Sequence, residues 1–160
     1  MNLKTKITVT TLAIAASTML VWSQPSENNP PTIQGVWQVS RVGVNCNDPS
    51  QALGTPFPAL MSFHRDGLVE GAAKSPVTGP FDTPQYGTWR REPGSQNYSF
   101  RALSYRYDNS GVFAGSLLLT ANVELTDANS FTYSATIQIA NANGNPIANN
   151  CGRGIGTRFE

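Results

Sequence analysis

The chain has 160 residues, with eleven basic and ten acidic side chains, 39% hydrophobic residues, two cysteines and a single histidine. This near-neutral balance argues against a surface built to bind nucleic acid or anionic lipid, and the hydrophobic content argues against an intrinsically disordered chain. A protein of this length has room for one domain with an ordinary hydrophobic core.

The N-terminal residues have the order of charges and apolar residues that is typical of a signal peptide. Two lysines within the first six residues precede an uncharged stretch over residues 7–21, which is shorter than the roughly 20 residues needed to cross a bilayer. We expect cleavage after Ser23, with a site nearer Ala16 as the alternative. Removing residues 1–23 leaves nine basic residues against ten acidic ones. The sequence therefore predicts a secreted or periplasmic protein with no membrane span in its mature form.

After a polar, proline-rich leader at residues 24–32, residues 33–160 are predicted to form one all-β domain. No segment there repeats apolar residues at the helical spacing, whereas several alternate apolar with polar residues between clusters of Gly, Asp, Asn and Pro. Turn residues between successive segments indicate sequential hairpins and an up-and-down order. The eight predicted strands are Gln34–Val44, Phe57–Arg65, Leu68–Ala72, Gln85–Arg91, Asn97–Tyr107, Val112–Thr126, Ser130–Ala140 and Ile147–Phe159.

The hairpin between the sixth and seventh strands specifies its own register. Both strands carry their apolar residues at odd-numbered positions. In an antiparallel pair, the numbers of facing residues have a constant sum, so a three-residue loop from Asp127 to Asn129 keeps both apolar sets on one face. We expect that face to line the interior.

The hairpin between the second and third strands carries the charged residues that are candidates for chemistry. Asp66 and Gly67 suit a two-residue turn, in which Phe63 lies opposite Glu70. Arg65 and Glu70 are then diagonal neighbours, and if Phe63 faces inward this ion pair lies at the rim of the interior. There it could orient a polar group of a ligand or a reacting carbonyl. The alternative is an ordinary salt bridge, which contributes little to stability when exposed.

Register also indicates that the sheet closes. An eight-stranded barrel requires its first and last strands to pair. One antiparallel register brings Trp37 beside Arg158 and, two residues beyond the ladder, Cys46 beside Cys151. The sequence therefore predicts a single closed or nearly closed up-and-down antiparallel barrel of about eight strands.

Cys46 and Cys151 are the only cysteines of the chain. In an exported protein such a pair tends to form a disulfide. The bond would close a loop of about 105 residues, for which the chain-entropy model gives about 4 to 5 kcal/mol of stabilisation. Two buried free thiols are the alternative.

The first strand opens with Gln34-Gly35-Val36-Trp37, whose Gly-x-Trp resembles the opening of lipocalins and their calycin relatives. Arg158, near the C-terminus, matches the late arginine of those families. The resemblance implies that Trp37 and Arg158 are a structural pair at the closed end of the barrel, with cation–π stacking worth roughly 0.5 to 2 kcal/mol. Gly-x-Trp on a first strand also occurs in avidin-like barrels, bacterial metalloprotease inhibitors and allene-oxide-cyclase-like barrels. The overall layout resembles secreted bacterial proteins of lipocalin-like type.

Neither a metal nor a cofactor is expected. His64 is the only histidine, and oxidation would remove both cysteines as soft ligands. His64 alternates with Phe63 on the second strand and is expected to point away from the interior, without a partner to orient it as a general base. The sequence singles out no catalytic residue, so it leaves enzyme activity open and favours a non-catalytic role.

The predicted function is binding of a small hydrophobic molecule inside the barrel, because an eight-stranded barrel can hold one small ligand. The predicted lining consists of Met61, Phe63, Leu117, Leu119, Tyr133 and Ile137. One alternative is a cyclase- or isomerase-type barrel enzyme that uses the rim pair Arg65 and Glu70. Another is a protein-binding barrel, such as a protease inhibitor, that acts through residues 25–31 or its longer loops. A nucleic-acid partner is not expected.

Overall fold

The structure is a computed structural model that describes residues 31–73 and 82–159. In that part of the chain the regular elements are β1 Gly35–Val44, β2 Phe57–Phe63, β3 Leu68–Ala73, β4 Gln85–Arg91, β5 Asn97–Tyr107, β6 Phe113–Asp127, β7 Ser130–Asn141 and β8 Pro146–Arg158. None of the described residues forms a helix that could span a membrane. The predicted signal peptide at residues 1–23 and most of the predicted leader lie outside the described residues.

The eight strands form a closed barrel. Each strand pairs with its sequence neighbour in antiparallel orientation, and β8 pairs with β1, which confirms the predicted all-β, up-and-down barrel. The closing register pairs Trp37 with Arg158 and Val44 with Cys151. Cys46 lies two residues beyond Val44 and forms a disulfide with Cys151, with 5.2 Å between their Cα atoms. The register predicted for closure is therefore confirmed.

Alternation along the strands separates the interior from the outer wall. Inward positions are mostly odd-numbered on β1–β4, β6 and β7 and even-numbered on β5 and β8, and most are apolar and buried. The largest fully buried side chains are Ile33, Trp37, Met61, Phe63, Val69, Tyr98, Phe100 and Phe131. They gather at one end of the interior, which we call the closed end. The opposite end, where β1 and β7 finish and β2 and β8 begin, we call the barrel mouth.

The β6–β7 hairpin has the predicted register. Leu125 pairs with Phe131, and the odd-numbered positions of the two strands face each other along almost their whole length. Phe113 is an exception to the predicted inward face. A register shift in the β5–β6 pair turns its side chain to the outer wall, where the ring contacts Tyr105 at a centroid distance of 5.8 Å.

The predicted β2–β3 register is wrong by one residue. The turn has three residues, Arg65-Asp66-Gly67, and Gly67 adopts a φ of 87°, which is the geometry of a type I turn followed by a bulge residue in the left-handed region. Phe63 therefore pairs with Val69 instead of Glu70. Because a shift of one residue exchanges the two faces of a strand, Glu70 lies on the outer wall.

The glycines of β8 make room for aromatic rings from β7. A Cβ atom at Gly156 would overlap the ring of Phe131. One at Gly154 would overlap the ring of Tyr133 and lie 2.7 Å from the carbonyl oxygen of Ser40. The two rings therefore lie against the backbone of β8 itself.

We expect Gly154→Ala to lower the free energy of unfolding by about 1 to 3 kcal/mol, because the added methyl group overpacks a filled interior. Urea denaturation measures the change. Gly152→Ala is the matched control on the same face of β8, since a Cβ there meets nothing closer than 3.4 Å. The control should change stability by less than about 0.5 kcal/mol. Equal losses in the two variants would contradict the packing of Tyr133 against Gly154.

Candidate functional site

The closed end of the barrel is sealed by Trp37 and Arg158. Trp37 is fully buried, and its indole N–H donates a 2.7 Å hydrogen bond to the carbonyl of Ile33. The Phe131 ring packs edge-on against it, with 4.8 Å between centroids. The Arg158 guanidinium lies 4.3 Å from the centre of the Trp37 ring and donates to the carbonyl of Gln34 at 2.7 Å. This packing closes one end of the interior to solvent.

Four of the predicted lining residues lie in the packed core, namely Met61, Phe63, Leu119 and Tyr133. Met61, Phe63 and Leu119 are at most 3% exposed. The Phe63 ring makes edge-on contacts with Phe100 and Phe131, at centroid distances of 5.8 and 6.1 Å. Contact of these residues with a ligand stays a prediction, and the packing favours a ligand position nearer the barrel mouth.

Toward the barrel mouth the inward apolar side chains become half-buried. Leu117 on β6 and Ile137 on β7 pack against the core with one side and are partly exposed on the other. Ile139 continues the same inward row of β7. Gly152, which pairs with Ala135, contributes no side chain to the facing wall. A partly accessible apolar wall therefore continues above the packed core.

Arg41 places a positive charge inside the barrel. It is 8% exposed and occupies an inward position of β1, two residues after Val39. On the barrel wall Arg41 pairs with Gly154 of β8, and Gly154 pairs in turn with Tyr133 of β7. Arg41 and Tyr133 are therefore the two register neighbours of Gly154, a position that has no side chain.

Among the described residues, the Arg41 guanidinium has a hydrogen-bond partner for only one of its three nitrogens. Its Nη1 atom lies 3.5 Å from Oε1 of Gln85, which is a long hydrogen bond. Nε and Nη2 are buried and have no hydrogen-bond partner among the described residues. Within the same residues no carboxylate forms an ion pair with Arg41. Buried charges in proteins are ordinarily paired and hydrogen-bonded, so this arrangement calls for a partner.

Burial and mutual charge act on the pKa values of Arg41 and Tyr133. Loss of hydration lowers the pKa of the Arg41 guanidinium from its usual value, and the Tyr133 phenol partly opposes that change. Burial raises the pKa of the Tyr133 phenol, and the charge of Arg41 partly opposes the rise. An arginine in a protein stays protonated, and a phenol with a raised pKa is neutral at pH 7. The site therefore presents a cation beside a neutral hydroxyl group.

A second arginine at the rim of the barrel mouth has a carboxylate partner. Arg106 Nε lies 3.5 Å from Oδ1 of Asp82. Burial raises the pKa of the Asp82 carboxyl, and the neighbouring Arg106 offsets part of the rise. Ser104, two residues before Arg106 on β5, is buried. Arg106 thus differs from Arg41 in having its charge balanced within the protein.

The predicted polar pair of Arg65 and Glu70 is not part of this site. Both residues are exposed at the closed end, and Glu70 contacts His64, with 3.8 Å between its Oε2 and the histidine Nε2. The inward position that the prediction assigned to Glu70 belongs to Val69, which is fully buried. The prediction is wrong because the turn has three residues, which moves the strand by one position.

Two surface clefts lie against the outer wall. The larger, of about 970 Å³, is lined by outward-facing residues such as Gln38, Leu60 and Ile155 and also by Val39 and Ala59 of the core. The smaller, of about 550 Å³, is lined by polar residues that include Glu124 and Arg153. Arg41 lines neither cleft, whereas Tyr133 is among the residues that line the smaller one.

Arg41 is not among the residues singled out from the sequence, although a signal for it existed. It shares odd numbering with Trp37 and Val39 on the first strand, and residues two apart on a strand point to the same face. The alternation that placed Trp37 inside therefore also placed a charge inside.

No protein-family model matches the chain, and no curated protein matches it either. The eight-stranded antiparallel barrel is consistent with a lipocalin-like fold. The disulfide is typical of proteins that fold in an oxidising compartment. Since these comparisons assign no family, the function is inferred from the geometry of the barrel mouth.

Proposed function

We propose that the protein is an exported, lipocalin-like barrel that binds a small, largely apolar molecule in the mouth half of its interior. The observation that carries this proposal is the change in side-chain packing along the barrel axis. Fully buried aromatic rings fill the closed end, whereas Leu117 and Ile137 present half-buried apolar surface above them. An interior that is closed at one end and apolar at the other suits one small ligand.

Export is supported by the predicted signal peptide and by the disulfide between Cys46 and Cys151. The bond joins the end of β1 to β8 beside the barrel mouth. Cytosolic proteins seldom keep such bonds, because cellular reductants break them. The covalent closure also stabilises the barrel, because it restricts the unfolded chain.

The enzyme alternative loses its main support, because it relied on Arg65 and Glu70 at the rim of the interior and both lie outside the barrel. The protein-binding alternative depends on residues 25–31, of which 25–30 lie outside the described residues, or on the longer loops. It stays a prediction, and ligand binding is the function that the described residues support best.

The test is a fluorescence titration with N-phenyl-1-naphthylamine, a neutral apolar probe whose emission rises in an apolar site. We expect the mature protein to bind it and Ile137→Trp to weaken binding by about tenfold or more, because the larger ring fills the space that a ligand needs. Gln138→Trp is the matched control, since Gln138 is the neighbouring residue on the outer wall.

Both variants should keep the far-ultraviolet circular dichroism of the parent protein, which separates blocking from misfolding. Equal affinities in Ile137→Trp, Gln138→Trp and the parent would place the probe outside the barrel mouth. That result, or absence of binding by the parent, would overturn the proposed function.

A further inference from the structure

The two unpartnered nitrogens of Arg41 belong to the same edge of its guanidinium. Nε and Nη2 form a planar fork that matches two oxygens of a carboxylate or of a similar anion. Gln85 contacts Nη1, the nitrogen on the other side of the group. The protein thus holds one side of the guanidinium and, among the described residues, leaves without a partner the edge that fits an anion.

The surroundings of that edge suit an anionic group attached to an apolar body. Gly154 lies between Arg41 and Tyr133 in the register, and the Tyr133 ring packs over it. The Tyr133 phenol is a neutral hydrogen-bond donor on the side of the barrel wall next to Arg41. Leu117 and Ile137 supply apolar surface nearer the barrel mouth. Arg41 thus offers a partner for a charged group, and these two residues offer apolar contacts for the body of the same molecule.

Charge balance indicates that the anion carries one charge. Of the other inward arginines, Arg106 is paired with Asp82, and Arg158 donates to three backbone carbonyls at the closed end. Within residues 31–73 and 82–159, Arg41 has neither a carboxylate partner nor hydrogen bonds to Nε and Nη2. A ligand with a single negative charge would complete the pairing, whereas a dianion would bring an unbalanced charge into a buried site.

We propose that the barrel mouth is selective for apolar monoanions, such as apolar carboxylic acids, and that the Nε and Nη2 edge of Arg41 binds the anionic group. This inference rests on the proposed function, because it assigns the chemical class of the ligand to the same site. Arg41 would then be the residue that determines specificity, and the apolar wall would supply the part of the affinity that is independent of charge.

The experiment compares two probes that differ in one group. 8-Anilinonaphthalene-1-sulfonate is N-phenyl-1-naphthylamine with a sulfonate added, so the pair isolates the effect of a negative charge. The parent protein should bind the sulfonate more tightly than the neutral probe. Arg41→Met should weaken sulfonate binding by about tenfold to a hundredfold, the effect of losing a charge-assisted hydrogen-bond pair. Its affinity for the neutral probe should not change.

Arg101→Met is the control, because Arg101 is an exposed arginine on the outer wall of β5, and it should keep the preference for the sulfonate. Arg41→Lys keeps the charge but lacks the planar fork, so it should lose part of that preference. If Arg41→Met does not fold, the affinities of Arg41→Lys for the sulfonate and for the neutral probe provide the test.

Thermal unfolding separates a binding role from a structural one. An arginine held for structure would lower the melting temperature when replaced, whereas removal of a buried charge that lacks a partner should leave it unchanged or raise it. Equal affinities of the two probes for the parent, or equal weakening of both in Arg41→Met, would overturn the inference and leave the proposed function standing. Absence of binding of either probe would overturn both.

Discussion

Replacing both cysteines, as Cys46→Ala with Cys151→Ala, should lower the free energy of unfolding by about 4 to 5 kcal/mol. The disulfide joins residues that are 105 positions apart, so it removes much of the conformational freedom of the unfolded chain. The folded barrel loses little, because Val44 still pairs with the residue at position 151. Guanidinium denaturation of the oxidised parent and the double variant measures the difference.

The loss of stability should come from the greater freedom of the unfolded chain, while the folded barrel stays almost unchanged. We expect the double variant to keep the circular dichroism of the parent at 25 °C and to bind N-phenyl-1-naphthylamine, while its denaturation midpoint falls. Native proteins are stabilised by about 5 to 15 kcal/mol in total, so the expected loss is about a third or more of the stability of the parent. A loss below about 1 kcal/mol would mean that the chain-entropy model does not describe this barrel.

Trp37→Ala should destabilise the protein by about 3 to 5 kcal/mol, the usual cost of removing a large aromatic side chain from a core. Trp37 is fully buried between Phe131 and the Arg158 guanidinium. Its removal opens the closed end and leaves the carbonyl of Ile33 without its indole donor. Urea denaturation followed by circular dichroism gives the change.

A double-mutant cycle of Trp37→Ala with Arg158→Met isolates the contact between the two side chains. We expect a coupling energy of roughly 0.5 to 2 kcal/mol from the cation–π contact. Arg158 also donates hydrogen bonds to the carbonyls of Thr32, Gln34 and Ala128, and those remain in Trp37→Ala. A coupling energy near zero would show that Arg158 stabilises the closed end through its carbonyl contacts alone.

Closure of the barrel could be predicted because independent pairs of residues pointed to one register. Trp37 with Arg158 and Cys46 with Cys151 lie at opposite ends of the β1–β8 ladder, and a constant sum relates residues in any antiparallel pair. The hairpin between β6 and β7 was predictable for the same reason, since both strands carry their apolar residues at odd-numbered positions.

The β2–β3 hairpin was not predictable from its turn residues. Asp66 and Gly67 suit a two-residue turn, but they also suit the last two positions of a three-residue turn in which the glycine takes a positive φ. The interior decides between them, because only the three-residue turn buries Val69 against the core. The candidate site at Arg65 and Glu70 depended on this one-residue choice.

The sequence by itself determined the strands, their order and the closure of the barrel, because alternation, turn residues and register are properties that a short segment or a pair of segments carries. Only the tertiary structure decided that the charge inside the barrel is Arg41 and that one edge of it lacks a partner among the described residues. The groups around that guanidinium come from β4, β7 and β8, which are distant along the chain. Whether they reach it depends on every register between those strands and on the absence of a side chain at Gly154.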